Sequence, residues 1–208
     1  MKHLKKESSN SSNKIIYRNT VNFDGVPLPI NNNEYQGCYI TILRAIHAQS
    51  KNMLSHYHKV YALRLDLSIN IERWKEGHIS KLLKNVKYHV KKQYKTSHLG
   101  YVWVRETNLD GKHHFHLLIL IDGHKVNRSK GVFDIIDRQW RKLGHARIWN
   151  VKGHTLTTTV DDTFKDAYHH FSYLAKIHTK DQQPPNKNNF NASRISTYEK
   201  RSFCKKAA

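Results

Sequence analysis

Gly111-Lys112-His113-His114-Phe115-His116-Leu117-Leu118-Ile119-Leu120-Ile121-Asp122 joins three histidines to five consecutive aliphatic residues. Its apolar core, residues 117–121, is far too short to span a membrane. It is also too continuous for a strand with one wet face, so it reads as a strand over 113–122 that is buried on both sides. The residues before it, Asn108-Leu109-Asp110-Gly111, carry turn chemistry, and Asp-Gly suits a hairpin. Residues 99–106 then form the hairpin partner, which brings Glu106 beside the His strand.

Working outward, residues 60–69 alternate as a strand does. Leu63, Leu65, Leu67 and Ile69 share one face and Arg64, Asp66 and Ser68 the other. Between these strands the pattern predicts an amphipathic helix over 71–94. Ile79, Leu82, Leu83, Val86 and Val90 form its buried stripe, and Lys81, Lys84, Lys87, Lys91, Lys92 and Lys95 its basic flank. An earlier helix over 34–57, capped by Asn31 to Asn33, has the stripe Tyr39, Ile42, Leu43, Ile46 and Met53. Downstream, a helix over 132–143, strands over 146–151 and 155–160, and a last helix over 163–179 capped by Asp161 or Asp162 complete the chain. This order predicts an α+β fold, a mostly antiparallel sheet with helices packed on one face. Residues 1–30 read as a disordered basic arm and loop, 31–180 as one domain, and 181–208 as a flexible linker with a basic tail.

The chain has 208 residues, with 36 Lys and Arg against 16 Asp and Glu, a formal charge of +20. A field of this sign and size favours a polyanion, nucleic acid before a membrane surface. The N-terminal Lys, Ser and Asn residues do not form a secretory signal. Cys38 and Cys204 lack metal-type spacing and point to a reducing, cytoplasmic setting.

Two His at i and i+2 on a strand project to one face and can share a metal ion. With 16 His, chance alone supplies roughly one such pair, and the chain has two, His56-Tyr57-His58 and His114-Phe115-His116. The first sits at a helix end, where the two side chains diverge. The second opens a core strand. His114, His116 and Glu106 are therefore the candidate metal ligands, suited to Mg²⁺ or Mn²⁺, with Zn²⁺ also compatible. His113 should face the other way. Tyr173 and Lys176, i and i+3 in Tyr173-Leu174-Ala175-Lys176, should share a helix face, where the ammonium favours phenolate. Tyr88 and Lys91 form a second such pair. Trp103, Trp140 and Trp149 read as core aromatics before they read as base-stacking platforms.

The strand 61–68, then Glu106 with His114-Phe115-His116, then Tyr173-Leu174-Ala175-Lys176, resembles the three-motif layout of the HUH endonucleases (His-hydrophobic-His), the rolling-circle replication initiators. It is most similar to the inovirus-type gene-two replication proteins, the YagK/YfjJ C-terminal-domain family of phages and prophages. The resemblance covers roughly residues 35–180. It implies a ferredoxin-like (RNA-recognition-like) sheet with the site on its open face, His114, His116 and Glu106 as metal ligands, Tyr173 as nucleophile and Lys176 as its partner. Attack by Tyr173 on single-stranded origin DNA would leave a 5′-phosphotyrosyl bond and a free 3′-OH. Lys84, Lys87, Lys91, Lys92 and Arg64 would bind the DNA. The chain departs from the family in two ways. Only one Tyr is well placed, and Arg64 and Asp66 replace the Thr-rich first strand of many relatives. With no Gly-x4-Gly-Lys-Ser/Thr loop, unwinding falls to a host helicase, and extension to a host polymerase. The competing expectations are a non-catalytic nucleic-acid-binding module and a metal-dependent hydrolase in which Tyr173 is structural.

Overall fold

The computed structural model describes residues 14–32, 36–107, 113–146, 148–177 and 189–199. Its centre is a five-stranded antiparallel sheet. Four long strands carry it: β5 (Lys59–Ser68), β6 (Gly100–Thr107), β7 (His113–Asp122) and β8 (Ile148–Thr157). Short β9 (Phe190–Ala192) adds to β6, and the spatial order is β8-β5-β7-β6-β9. β7 lies inside the sheet, and Leu117 to Ile121 have no solvent exposure. Each such side chain contributes about 1.5–3 kcal/mol through burial.

That two-sided burial requires a layer on each face, and both are present. On one face lie α2 (His78–Tyr94) and α3 (Ser129–Lys142). Leu82, Val86, Ile136 and Trp140 pack there with Leu63, Leu65, Leu117 and Ile119. On the other lie α1 (Ile40–His56) and α4 (Asp162–Phe171). Ile42, Leu43, Phe164 and Tyr168 pack there with Ala62, Val102, Leu118 and Leu120. The expectation of helices on one face is thus corrected. It describes α2 and α3, while α1 and α4 cover much of the face expected to be open.

Several boundaries also move. Residues 14–30, expected as an arm and loop, form β1 (Ile15–Ile16), β2 (Thr20–Phe23) and β3 (Val26–Pro29). They bury Val21, Leu28 and Ile30 in the α1/α4 layer. The first long helix begins at Ile40, because Cys38–Tyr39 is spent as β4, paired with β1. The helix expected over 71–94 is interrupted. Asn70 Oδ1 accepts the Glu72 N–H at 3.1 Å and caps a 3-10 turn at Ile71–Arg73. Gly77 then takes a left-handed φ of 89° before α2 starts, a conformation that glycine adopts without the Cβ penalty. The two strands expected over 146–160 are one, β8, with a bulge opposite Arg64.

The last helix ends at Phe171, capped at its start by Asp161, whose Oδ1 accepts the Phe164 N–H. A 3-10 turn at Ser172–Ala175 follows, and the chain becomes extended at Lys176. The cause is tertiary: Lys176 bridges to Cys38, and the Ile177 N–H donates to the Gly37 carbonyl. The 110–111 turn, the 1–13 arm, the tail from residue 200, most of the 181–193 linker and the His113 side chain lie outside the described residues. Among the described residues no helix is long and apolar enough to cross a membrane.

Candidate metal and tyrosine site

The site lies where the α1/α4 face of the sheet turns from apolar to polar. Side chains alternate along a strand, so β7 shows this face Leu120, Leu118, His116 and His114 in turn. β5 shows Val60, Ala62, Arg64 and Asp66, and β6 shows Val102, Val104 and Glu106. The register sets these ends side by side. Glu106 pairs with His114, Val104 with His116, and Asp66 with His116.

Glu106, His114 and His116 each direct one donor atom into a common space, all within 4.8 Å of one another. Among the described residues they are the one such group that could hold a metal ion. Glu106 Oε2 lies 2.9 Å from His114 Nε2 and also contacts His116 Nε2. Glu106 and His116 are buried, and His114 is the member of the group closest to solvent. A buried carboxylate facing two imidazoles is costly unless a cation or protons join it, and one carboxylate with two imidazoles is a donor set for a divalent transition metal or Mg²⁺. The residues present therefore fit a metal ion.

Asp66 holds His116 from behind. Its Oδ1 lies 2.6 Å from His116 Nδ1. An ionised carboxylate can only accept, so Nδ1 carries the hydrogen toward Asp66, and with a cation bound in the cluster the Nε2 lone pair would be free to face it. Arg64 in turn places Nη2 3.2 Å from Asp66 Oδ2. Burial alone would raise the Asp66 carboxyl, but the bonds from His116 and Arg64 outweigh it and hold the group below the usual carboxylate range.

Tyr173 closes the site from the 3-10 turn. Its ring centroid lies 5.3 Å from that of His116, edge to face at 83°. The Arg64 guanidinium carbon sits 4.1 Å over the Tyr173 ring centroid, and Lys176 Nζ sits 5.3 Å from it. Tyr173 and Lys176 meet as expected, but on a 3-10 turn, where i and i+3 eclipse, and the ammonium lies over the ring. The expected push toward phenolate does not win. Burial, then the Glu106 and Asp66 carboxylates, raise the Tyr173 phenol above its ordinary value, with Arg64 opposing them. Behind Arg64, His170 Nδ1 lies 3.0 Å from His154 Nε2. Burial and the Arg64 charge lower His170 to about 4.

Other candidates fall elsewhere. Tyr88 is exposed on α2 and Tyr168 is buried with its hydroxyl donating to the Leu43 carbonyl, which leaves Tyr173 as the tyrosine at the cluster. His56 stacks on His98 at 4.1 Å and takes no part. Lys84, Lys87, Lys91 and Lys92 are exposed on α2, on the far side of the sheet from the cluster. Arg64, expected among the DNA-binding residues, is buried, with its guanidinium between Asp66 and the Tyr173 ring. Trp103 and Trp140 are core, and Trp149 is not. Sequence reasoning missed Asp66, whose role depends on the β5–β7 register and has no local signal beyond a carboxylate on the Arg64 face.

No curated protein and no solved structure matches the chain. The YagK/YfjJ C-terminal domain family matches residues 23–193, a span that contains strands β5 to β9, helices α1 to α4 and every residue of the cluster. The chain belongs to the YagK/YfjJ C-terminal domain family.

Proposed function

We propose that this chain is an HUH-type replication initiator that nicks single-stranded origin DNA through Tyr173. The observation that carries the reading is the packing of Tyr173 on His116, a member of the Glu106-His114-His116 group, with the Arg64 cation over the same ring. The β5-α2-β6-β7-α3-β8 run, with the order β8-β5-β7-β6, supports the ferredoxin-like plan that the reading implies.

Glu106, His114 and His116 would hold the divalent cation. Bound there, it would polarise the phosphate and offset the charge that builds on its oxygens. The rest of the chemistry belongs to the chain. Tyr173 Oη attacks the phosphorus of a strand phosphodiester and loses its proton. The bond from phosphorus to the 3′ oxygen breaks, and that oxygen takes up a proton. The products are a 5′-phosphotyrosyl ester and a free 3′-OH, and the reverse steps rejoin the strand. Arg64 fixes the ring and favours its ionised form against the effect of burial. Asp66 keeps His116 in the tautomer a metal ligand needs. The basic charge of the chain supplies the general attraction for DNA. Strand opening and extension would come from a host helicase and polymerase.

Incubation with single-stranded origin DNA and Mn²⁺ or Mg²⁺ tests this. A denaturation-resistant protein–DNA adduct should form and should vanish with EDTA. Binding without cleavage would support a nucleic-acid-binding module. Cleavage without any adduct, surviving Tyr173→Phe, would support a hydrolase that activates water.

A further inference from the structure

Trp149 stands at the edge of the site and outside the core. Its neighbour Ile148 pairs with Leu67 and packs into the α2/α3 layer. Alternation turns Trp149 to the opposite face, the one that carries the cluster. The register is specific. Trp149 pairs with Asp66 on β5, and Asp66 pairs with His116 on β7. Trp149, Asp66 and His116 form one row across three neighbouring strands. With strands about 4.8 Å apart, the Trp149 backbone lies roughly 10 Å from that of His116.

The indole is 50% exposed, whereas Trp103 and Trp140 are at most 5% exposed. A large ring left half in water gains little from folding, and its open face is available to a ligand; among the exposed aromatics, Trp149 is the one that the register sets in the row of Asp66 and His116. Asp66 faces Trp149 across the β5–β8 pairing, and a cation lies further along its own strand. The exposed Lys152 follows on the same strand, past the bulge, and its charge acts on His154 and His170 behind Arg64.

We propose that Trp149 is a stacking subsite for an unpaired nucleobase next to the phosphate held at the cluster. The proposal rests on the DNA-nicking reading and adds to it a place for the base. Every nucleobase offers a π face, so such a subsite would position the strand and tolerate many sequences. Lys152 would meet the backbone beside it.

The test uses the full chain in EDTA, so that no cleavage intervenes. The protein is titrated with an oligothymidylate and with an abasic deoxyribose-phosphate strand of the same length, following tryptophan emission and affinity. The oligothymidylate should quench emission and should bind roughly five- to a hundredfold more tightly than the abasic strand. Trp149→Ala should remove most of the quench and most of that preference, while weakening the abasic strand little. Trp149→Phe should lose the quench and keep most of the preference, because phenylalanine still stacks. Quench and preference that persist in Trp149→Ala would overturn the proposal, as would equal binding of both strands by the unaltered protein. If the unaltered protein binds neither strand, the nucleic-acid reading itself fails and this subsite fails with it.

Discussion

Oδ1 of Asp66 lies 2.6 Å from Nδ1 of His116, across the β5–β7 register. The contact gives the outer ring nitrogen of a candidate metal ligand a fixed acceptor, and outer partners of this kind typically carry 10–100-fold in metal affinity. Asp66→Ala should therefore weaken Mn²⁺ binding by about that factor in calorimetry. Asp66→Asn should lose less, since its amide oxygen still accepts from Nδ1. Unchanged Mn²⁺ affinity in Asp66→Ala would mean that Asp66 does not orient His116.

Arg64 lies on the same face of β5 with its cation over the Tyr173 ring. Arg64→Met keeps much of the bulk and removes the charge. A desolvated cation–π contact is worth up to about 2 kcal/mol, so single-turnover cleavage at saturating metal should slow by roughly threefold to thirtyfold. Mn²⁺ affinity should fall less than in Asp66→Ala. Loss of metal affinity with unchanged cleavage at saturation would reverse the roles assigned to these two residues.

The α2 lysines are set on the sheet face away from Tyr173, so under the proposed function holding DNA and cutting it would be separable. Replacing Lys84, Lys87, Lys91 and Lys92 by Gln should flatten the dependence of log affinity on log salt by up to about 0.7 for each lost contact with single-stranded DNA. The rate of adduct formation from saturated complex should stay the same. A slower adduct step at saturation would show that α2 acts on the chemistry as well.

How much of this was legible beforehand depends on how local each signal is. β7 was readable to the residue, because the continuous run from Leu117 to Ile121 has few other solutions. The same run required a cover on both faces, yet the order of elements could not say that α1 and α4 supply the second one. Glu106 was readable because a short hairpin fixes its register with His114. Asp66 and Trp149 were not, because the β5–β7 and β5–β8 pairings join segments far apart in sequence. The end of α4 was missed for a similar reason. Residues 172–177 keep a helical pattern, and a bridge to Cys38 and a bond to Gly37 override it.

His145 gives a pH signature of the fold that is independent of the site. It is buried against Trp140, and its Nδ1 accepts the Asn70 N–H at 3.1 Å. Burial lowers it to about 4, below the roughly 6.5 of an unfolded histidine. The unfolded chain therefore binds more protons between these values. The His145 contribution to stability is complete above about pH 6.5 and is lost as the pH falls toward 4, on the order of 1–3 kcal/mol. Urea midpoints should drop across that range, and His145→Gln should shrink the drop. A pH dependence identical in His145→Gln would assign it to other groups.

The residue that carries the covalent nucleotide is the most direct test of the whole account. The adduct formed with Mn²⁺ on single-stranded origin DNA would be digested with nuclease and trypsin, and the modified peptide mapped by mass spectrometry. The nucleotide should sit on Tyr173, in the peptide that also holds Tyr168, with Tyr168 and Tyr88 unmodified and no adduct in Tyr173→Phe. A nucleotide on Tyr88, or metal-dependent cleavage that proceeds in Tyr173→Phe with no modified tyrosine, would contradict it.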